Sequence, residues 1–164
     1  MKKKTAMIVA ILCFGFTSLG AHENVRLGLS AEIPQGRNYI LRAELQKLVL
    51  LGQIGLDIQS SDAITNFLLR IGGGTAFTFY QSEKFNSFAG GKLIININDI
   101  SSDLSSQSHT STSVTLLPLI GVGYKLIPNL QLCYEFQYEL TFGSFISGTR
   151  GQAYITYWIT GLTD

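Results

Sequence analysis

The sequence predicts an all-β fold in which antiparallel strands follow one another in chain order. Segments in which apolar and polar residues alternate recur along the chain, and a period of two residues is typical of a strand with two unlike faces. Turn-like clusters separate these segments, and no convincing helical period appears after residue 20. The composition, with 17 glycines and 3 prolines, favours tight turns and close-packed strands over a disordered linker.

The clearest strand covers residues 130–142. Its polar members are Gln131, Cys133, Glu135, Gln137, Glu139 and Thr141, and every residue between them is apolar or aromatic. Strands in soluble proteins usually have about 5–6 residues, so this one is long. Alternation alone does not say which face meets water, because a soluble barrel has its apolar face inside and a membrane barrel has it outside.

The N-terminal segment is typical of a secretory signal. "MKKK" is basic, "TAMIVAILCFGF" is apolar, and small residues precede a cleavage position before Ala21. We therefore predict a signal peptide at 1–20 and one barrel domain at 21–164. Cleavage removes three lysines and leaves nine basic against eleven acidic residues, a balance that does not favour nucleic acid as a partner. Cys133 then remains as a single thiol, which we expect to be packed rather than reactive.

Seven further segments complete the predicted sheet. They are residues 24–33, 39–46, 50–59, 66–80, 88–100, 113–126 and 151–162. The total is eight strands. The stretch 46–50 contains no typical turn residue, so a sheet of seven strands with one long bent strand remains an alternative.

Side-chain volume indicates which face lines the barrel. The interior of an eight-stranded barrel is only just wide enough for side chains to fill it, and the aromatic rows of this sequence would overfill it. The sequence therefore predicts a lipid-facing set of Leu132, Tyr134, Phe136, Tyr138, Leu140, Phe77 and Phe79. The opposite face carries the predicted lumen charge network, which consists of Arg42, Glu44, Asp57, Arg70, Lys92, Glu135 and Glu139. With Arg26 and Glu32 this face has four positive and five negative groups, close to the balance that buried charges require.

The connections between strands indicate the orientation. If both ends of the chain are periplasmic, "PQGRN", "SSDA", "SSDLSSQSHTSTS" and "GSFISGTRG" lie outside, and the shorter links near Lys47, "QSEKF" and "LIPN" lie inside. Long external loops and short periplasmic turns are typical of outer-membrane barrels. Aromatic residues near strand ends suit the interfacial girdles. This girdle set is Tyr39, Tyr80, Tyr124, Phe142, Tyr157 and Trp158. The predicted fold is thus an eight-stranded antiparallel up-and-down transmembrane β-barrel.

The segment "LPLIGVGYKLIPNLQLCYEFQY" (117–138) resembles the penultimate hairpin of small outer-membrane barrels of the OmpA-like and opacity-protein group. The matching residues are Gly121, Gly123, Tyr124, Pro128, Asn129, Leu130, Leu132, Glu135 and Tyr138. Such barrels usually end in an aromatic residue, whereas this chain ends in "WITGLTD". The resemblance implies an outer-membrane location, contact with lipid and with the insertion machinery, and host or envelope factors as partners.

The expected function is a structural or surface-interaction (adhesin-like) role of a monomer in the Gram-negative cell envelope, through residues 101–113 and 143–151. We assign no catalytic, cofactor-binding or metal residues and expect no enzyme. No cysteine–histidine cluster has metal-ligand spacing, and His109 and Ser111 lie in a Ser/Thr-rich stretch where such a pair arises easily by chance. Glu135 and Glu139 are four residues, or about 13 Å, apart on a strand, too far for glycoside chemistry. One alternative is a hydrolase of lipid A that uses His109 and Ser111. The other is a soluble periplasmic barrel that binds an apolar ligand inside.

Overall fold

The computed structural model describes residues 25–34, 37–61, 64–102, 108–142 and 146–159. The predicted signal peptide, parts of two predicted loops (103–107 and 143–145) and the C-terminal "TGLTD" lie outside these ranges. Eight strands occur in the order β1 (Val25–Ile33), β2 (Asn38–Leu45), β3 (Leu48–Ser61), β4 (Ile64–Gln81), β5 (Phe85–Ser102), β6 (Ser108–Ile127), β7 (Leu130–Phe142) and β8 (Ile146–Ile159). Each strand pairs antiparallel with its neighbours in the chain, and pairing of β1 with β8 closes the barrel. Over the described ranges, no helix is long and apolar enough to cross a membrane.

The sequence prediction of eight strands is confirmed, including at its weakest boundary. A two-residue turn, Gln46–Lys47, connects β2 to β3, and Leu45 pairs directly with Leu48. Gln46 has a φ of 56°, a conformation that two-residue hairpins require and that glycine or asparagine usually supplies. Because glutamine occupies this position, the sequence lacked the usual turn signal.

The strands differ greatly in length, so the barrel is taller on one side. β4, β5 and β6 contain 18, 18 and 20 residues, whereas β1 and β2 contain 9 and 8. The surplus lies at the end that carries the β1–β2, β3–β4, β5–β6 and β7–β8 connections, which we call the loop end. The opposite end, with the short turns, is the turn end. We use "the extension" for the loop-end parts of β3–β6, which are residues 57–61, 64–68, 98–102 and 108–113.

The prediction that 101–113 and 143–151 are loops is partly wrong. Residues 101–102 continue β5, residues 108–113 belong to β6, and residues 146–151 belong to β8. The Ser/Thr-rich stretch lacks apolar alternation, which is why it resembled a loop. Threonine nevertheless favours strands, and β5 supplies a continuous partner from Ser101–Ser108 to Asn96–Ser113.

The apolar and aromatic row lies on the outer surface of the barrel. Leu132, Tyr134, Phe136 and Tyr138 are 40–50% exposed, while the polar residues between them are buried inside. Phe77 and Phe79 are also exposed on the outside, and Leu140 is half-buried on the same face. A soluble barrel with reversed faces does not fit this arrangement, because its apolar residues would line the interior.

The girdle assignment of Trp158 is wrong, because this residue lies inside the barrel and is 4% exposed. Its neighbour Tyr157 faces outward, as do the other members of the predicted girdle. Gly28 makes room for the indole, since a Cβ at that position would lie 2.8 Å from the ring. The guanidinium carbon of Arg26 stands 4.7 Å from the ring centre, and the indole nitrogen donates a hydrogen bond of 2.9 Å to Gln131 Oε1.

Glycines on the lumen face allow β4 and β5 to approach closely. A Cβ built on Gly74 would lie 2.7 Å from the Cα of Lys92, and one on Gly72 would lie 2.9 Å from the Cα of Ile94. Both contacts involve main chain, which cannot move aside as a flexible side chain can. These glycines therefore relieve crowding between the main chains of β4 and β5.

Candidate functional site: the lumen and its loop-end mouth

A buried carboxylate occupies the middle of the lumen. Glu135 accepts a hydrogen bond of 2.7 Å from Arg42 Nη2 and one of 2.6 Å from Lys92 Nζ. Gln137 Nε2 donates a third, also of 2.7 Å. The side chains of the three charged residues are at most 4% exposed, so each charge depends on the others for the solvation that water would otherwise provide.

Short polar side chains extend this cluster across the barrel. Arg42 Nε donates to Ser30 Oγ at 2.8 Å, and the hydroxyls of Ser30 and Thr156 share a hydrogen bond of 2.7 Å. Cys133 Sγ lies 3.5 Å from the same threonine hydroxyl. The thiol is buried and forms no disulfide, which agrees with the expectation of a packed cysteine.

Aromatic rings complete the packing around the two cations. Lys92 Nζ lies 5.4 Å from the centre of the Tyr154 ring, and the guanidinium carbon of Arg42 lies 5.6 Å from the centre of the Phe88 ring. These distances are within the range of cation–π attraction. Side chains therefore fill the lumen at mid-height, as expected for a barrel of this size.

A second ion pair lies at the turn end. Arg26 Nη1 stands 3.2 Å from Glu44 Oε2, and Gln131 Nε2 donates to Asn86 Oδ1 at 2.7 Å. Together with Trp158, these side chains fill the lumen below the central cluster.

A hydrogen-bonded chain leads from the centre toward the loop end. Arg150 Nε donates to Gln137 Oε1 at 3.0 Å, and Arg150 Nη1 lies 3.7 Å from Glu139 Oε2. Thr141 donates to Glu139 at 3.3 Å and shares a hydrogen bond of 2.8 Å with Thr115. The Arg150–Glu139 pair is longer and more exposed than the contacts of the central cluster, with Arg150 29% and Glu139 32% exposed.

The loop end also holds polar groups on the opposite wall. Glu32 accepts hydrogen bonds from Asn38 Nδ2 at 2.5 Å and from Gln152 Nε2 at 3.0 Å. Tyr154 donates its hydroxyl hydrogen bond to the oxygen of Gln152. Asp57 pairs with Arg37 at 2.9 Å, near the rim.

Two adjoining cavities open at the loop end, with volumes of about 360 and 320 Å³. Arg70 and Arg150 line both of them. Arg70 is half-buried, and within the described residues its guanidinium has neither an ion-pair nor a hydrogen-bond partner. We call this region the mouth.

The seven charges predicted for the lumen are thus divided between several places. Arg42, Lys92 and Glu135 meet at the centre, while Glu44, Asp57 and Glu139 each pair with a residue outside the predicted network. Arg70 lies at the mouth without an ion-pair partner among the described residues. The network is therefore a central triad with separate pairs above and below it.

Sequence reasoning missed several inward-facing residues, including Arg150, Gln152 and Tyr154. Their signal was available, because these three share the parity of Thr156 and Trp158 on β8. The stretch "GSFISGTRG" resembled a loop, which hid Arg150, and the run of aromatic residues at 154–158 resembled a girdle. Neither pattern distinguishes the two faces, because β8 has aromatic residues on both, with Tyr154 and Trp158 inside and Tyr157 outside.

The two residues of the hydrolase alternative are not joined. His109 and Ser111 lie on β6 in the extension, where both are exposed, and no hydrogen bond connects them. The nearby Asp99 accepts a hydrogen bond of 3.1 Å from Thr110 instead. In the part of the chain that the structure describes, no group of three or more histidine, cysteine or acidic residues could hold a metal ion.

Comparison with solved structures gives matches that cover nearly the whole barrel. Ail, the attachment invasion locus protein of Yersinia pestis, matches with a TM-score of 0.56 and 12% identity, over 82% of this chain and 94% of that one. Neisserial surface protein A matches with a TM-score of 0.53 and 16% identity, over 84% and 93%. A major outer membrane protein of Thermus thermophilus matches with a TM-score of 0.54 and 10% identity, over 84% and 100%.

These matches define the class of fold. The chain has the architecture of the small eight-stranded outer-membrane β-barrels, and the resemblance that the 117–138 hairpin suggested is confirmed at that level. No protein-family model and no curated protein sequence matches the chain.

Proposed function

We propose that the protein is a monomeric integral outer-membrane barrel whose loop end faces the outside of the cell and interacts with envelope or host factors. Two features support the location. The outer surface is apolar around the barrel, and strand pairing is closed from β1 to β8, so main-chain polar groups need no partner in lipid. The orientation rests on the strand ends, because the strands extend beyond the barrel wall at the loop end whereas the other end has only short turns, an asymmetry in the sense of the rule for such barrels.

The extension carries the proposal of an interaction role. Among the described residues, pairing of β6 with β7 begins at Val114–Phe142, so residues 108–113 pair there with β5 alone. In the described ranges, pairing of β3 with β2 ends at Gly55–Asn38, so residues 57–61 pair there with β4 alone. Within the part of the chain that the structure describes, a four-stranded sheet with two open edges therefore projects beyond the barrel wall. Such edges present main-chain donors and acceptors to an added strand.

The nature of the partner is suggested by one of the similar proteins. Ail bears the name attachment invasion locus protein, and its structure contains the heparin analogue sucrose octasulfate. We therefore propose a host surface, with a sulfated polysaccharide or an extended polypeptide as the first partners to test. Contact with lipid and with the insertion machinery is implied by the proposed location.

Shortening the extension tests this role. Ile97 pairs with Thr112, so residues 98–111 can be replaced by Asn-Gly, which forms a two-residue turn between adjacent strands. The barrel wall keeps its closure, because β6–β7 pairing starts at Val114. Replacing Gln46–Lys47 by the same dipeptide changes the opposite end and is the matched control.

Bacteria that display each variant are then scored for binding to cultured host cells and to immobilised heparin. We expect the shortened variant to lose adhesion while the Gln46–Lys47 variant retains it. Equal adhesion by both variants, at equal surface amounts, would contradict a role for the extension.

The location needs its own measurement. Cell fractionation followed by gel electrophoresis with and without boiling should give detergent-resistant membrane material that changes mobility on heating, as expected for a closed barrel. Recovery in the soluble periplasmic fraction would contradict the proposal. We also propose that the protein is not an enzyme. If bacteria that carry the Ser111→Ala variant had an altered lipid A profile, this proposal would be contradicted.

A further inference from the structure

We propose that the mouth is a binding site for a small ligand that carries one negative charge and several hydroxyl groups, the chemical class of sugar acids. This inference goes beyond the interaction role of the extension and does not depend on it. It rests on three features of the larger cavity, which are its shape, its charge and its unpaired acceptors.

The cavity has a closed floor and polar walls. Ile94 and Leu117 are almost fully buried and form the apolar base. Amide and hydroxyl side chains rise above it on β5 and β6, among them Asn96, Ser113 and Thr115. The volume of about 360 Å³ is at the lower end of ordinary ligand pockets, about 300–1,000 Å³. An apolar base under convergent polar groups suits one face of a pyranose ring with hydroxyls at its rim.

The charge of the cavity favours a single anion. Among the described residues, those that line it and carry a charge are Arg70, Arg150 and Glu139. Glu139 and Gln137 already hold Arg150, whereas Arg70 has no partner among the described residues. The net charge of the lining is thus +1, and the free guanidinium can bind a carboxylate through two parallel hydrogen bonds.

Two amide oxygens are the unpaired acceptors of the cavity. Asn66 and Asn98 line the same cavity, and their Oδ1 atoms are shielded from solvent and have no hydrogen-bond partner among the described residues. Asn98 stands opposite Leu68, two residues from Arg70 on the lumen face of β4. A buried acceptor without a partner is costly, and a ligand hydroxyl would relieve this cost. A carboxylate for Arg70 and hydroxyls for the two asparagines belong together in a sugar acid.

The test uses the full barrel refolded in detergent micelles and D-galacturonate as the probe. Titration is followed by ¹H–¹⁵N NMR, including the side-chain signals of the arginines and asparagines. We expect saturable shifts of the mouth signals, and at least tenfold weaker binding of D-galactose and of acetate, because each of these supplies only one of the two groups. Absence of saturable shifts with D-galacturonate, or equal binding of acetate, would overturn the proposal.

Variants localise the binding. Arg70→Gln should lower the affinity for D-galacturonate at least tenfold without changing the weak binding of galactose, and Asn98→Leu should weaken both sugars. Lys84→Gln removes the same charge from an exposed turn at the opposite end and should leave binding unchanged. All variants must show the heat-dependent gel shift of the folded barrel. Undiminished galacturonate binding in folded Arg70→Gln, or in folded Asn98→Leu, would overturn the site as described.

Discussion

Removing the central carboxylate should strongly destabilise the barrel. Glu135→Gln preserves the size and shape of the side chain but leaves the cations of Arg42 and Lys92 facing each other without an anion. Both cations are in direct contact with the carboxylate, at 2.7 and 2.6 Å. The polar neighbours Ser30 and Gln137 remain, yet neither carries a charge.

The magnitude follows from burial and distance. At an effective dielectric constant of about 20, each contact corresponds to about 6 kcal/mol of Coulomb attraction, and desolvation of buried ions offsets several kcal/mol of this. Leaving one partner of a buried pair uncompensated costs about 3–5 kcal/mol, and we expect that loss for Glu135→Gln. Lys92→Met should cost less, because it leaves Arg42 and Glu135 as a balanced pair.

Urea unfolding in detergent micelles measures this loss. Trp158 is the only tryptophan of the chain and lies inside the barrel, so its fluorescence should report unfolding directly. The matched control is Glu139→Gln, whose ion pair spans 3.7 Å between side chains that are 32% and 29% exposed. Such exposed pairs contribute about 0–1 kcal/mol. Equal unfolding midpoints for Glu135→Gln and Glu139→Gln would refute a buried central triad.

Three other changes have expected outcomes in urea unfolding, one of them with the barrel in lipid vesicles instead of micelles. Gly74→Ala should destabilise the barrel by about 2 kcal/mol or more, because its methyl would collide with the main chain of β5. Gly148→Ala, where nothing lies within 4 Å of the added carbon, should be near neutral. Similar losses for the two variants would contradict the close approach of β4 and β5. Phe136→Lys, at the middle of β7 on the outer face, should lower the free energy of unfolding in lipid vesicles by about 2–4 kcal/mol. Phe142→Lys, at the end of the same strand, should lower it by only about 0–1 kcal/mol. Equal losses would indicate that this face does not cross a bilayer. Gln46→Gly should stabilise by about 0.5–1 kcal/mol, since the residue has a φ of 56°, and a loss of stability would show that the side chain has a role of its own.

Alternation made the fold predictable, because strand parity and lumen volume act on every residue of a barrel. The strand of residues 130–142 shows this best, since it coincides with β7 and its polar members lie inside. The extension could not be read in the same way. Residues 108–113 have no apolar row, and they form a strand because β5 continues beside them rather than because of their own pattern.

The site was predictable as a set of inward charges but not as a set of pairs. Parity places Arg42 and Glu135 inside, yet the stagger of strands around the barrel decides that they meet although 93 residues separate them. Trp158 illustrates the converse error, because its type suggests a girdle while its parity places it beside Gly28 in the lumen. The same stagger leaves Arg70 without an ion-pair partner among the described residues, which strand parity alone does not predict.

The central claim is that the aromatic face of β7 contacts lipid while its polar face fills the lumen. A scan of single cysteines carrying nitroxide labels at residues 132–138, in a Cys133→Ser background reconstituted in lipid vesicles, tests it most directly. We expect collisions with molecular oxygen, which partitions into lipid, to be high at 132, 134, 136 and 138 and low at the residues between them. A uniform profile along these residues would contradict a barrel that crosses a membrane. The opposite alternation, in which a water-soluble relaxation agent reaches the aromatic positions, would contradict it as well.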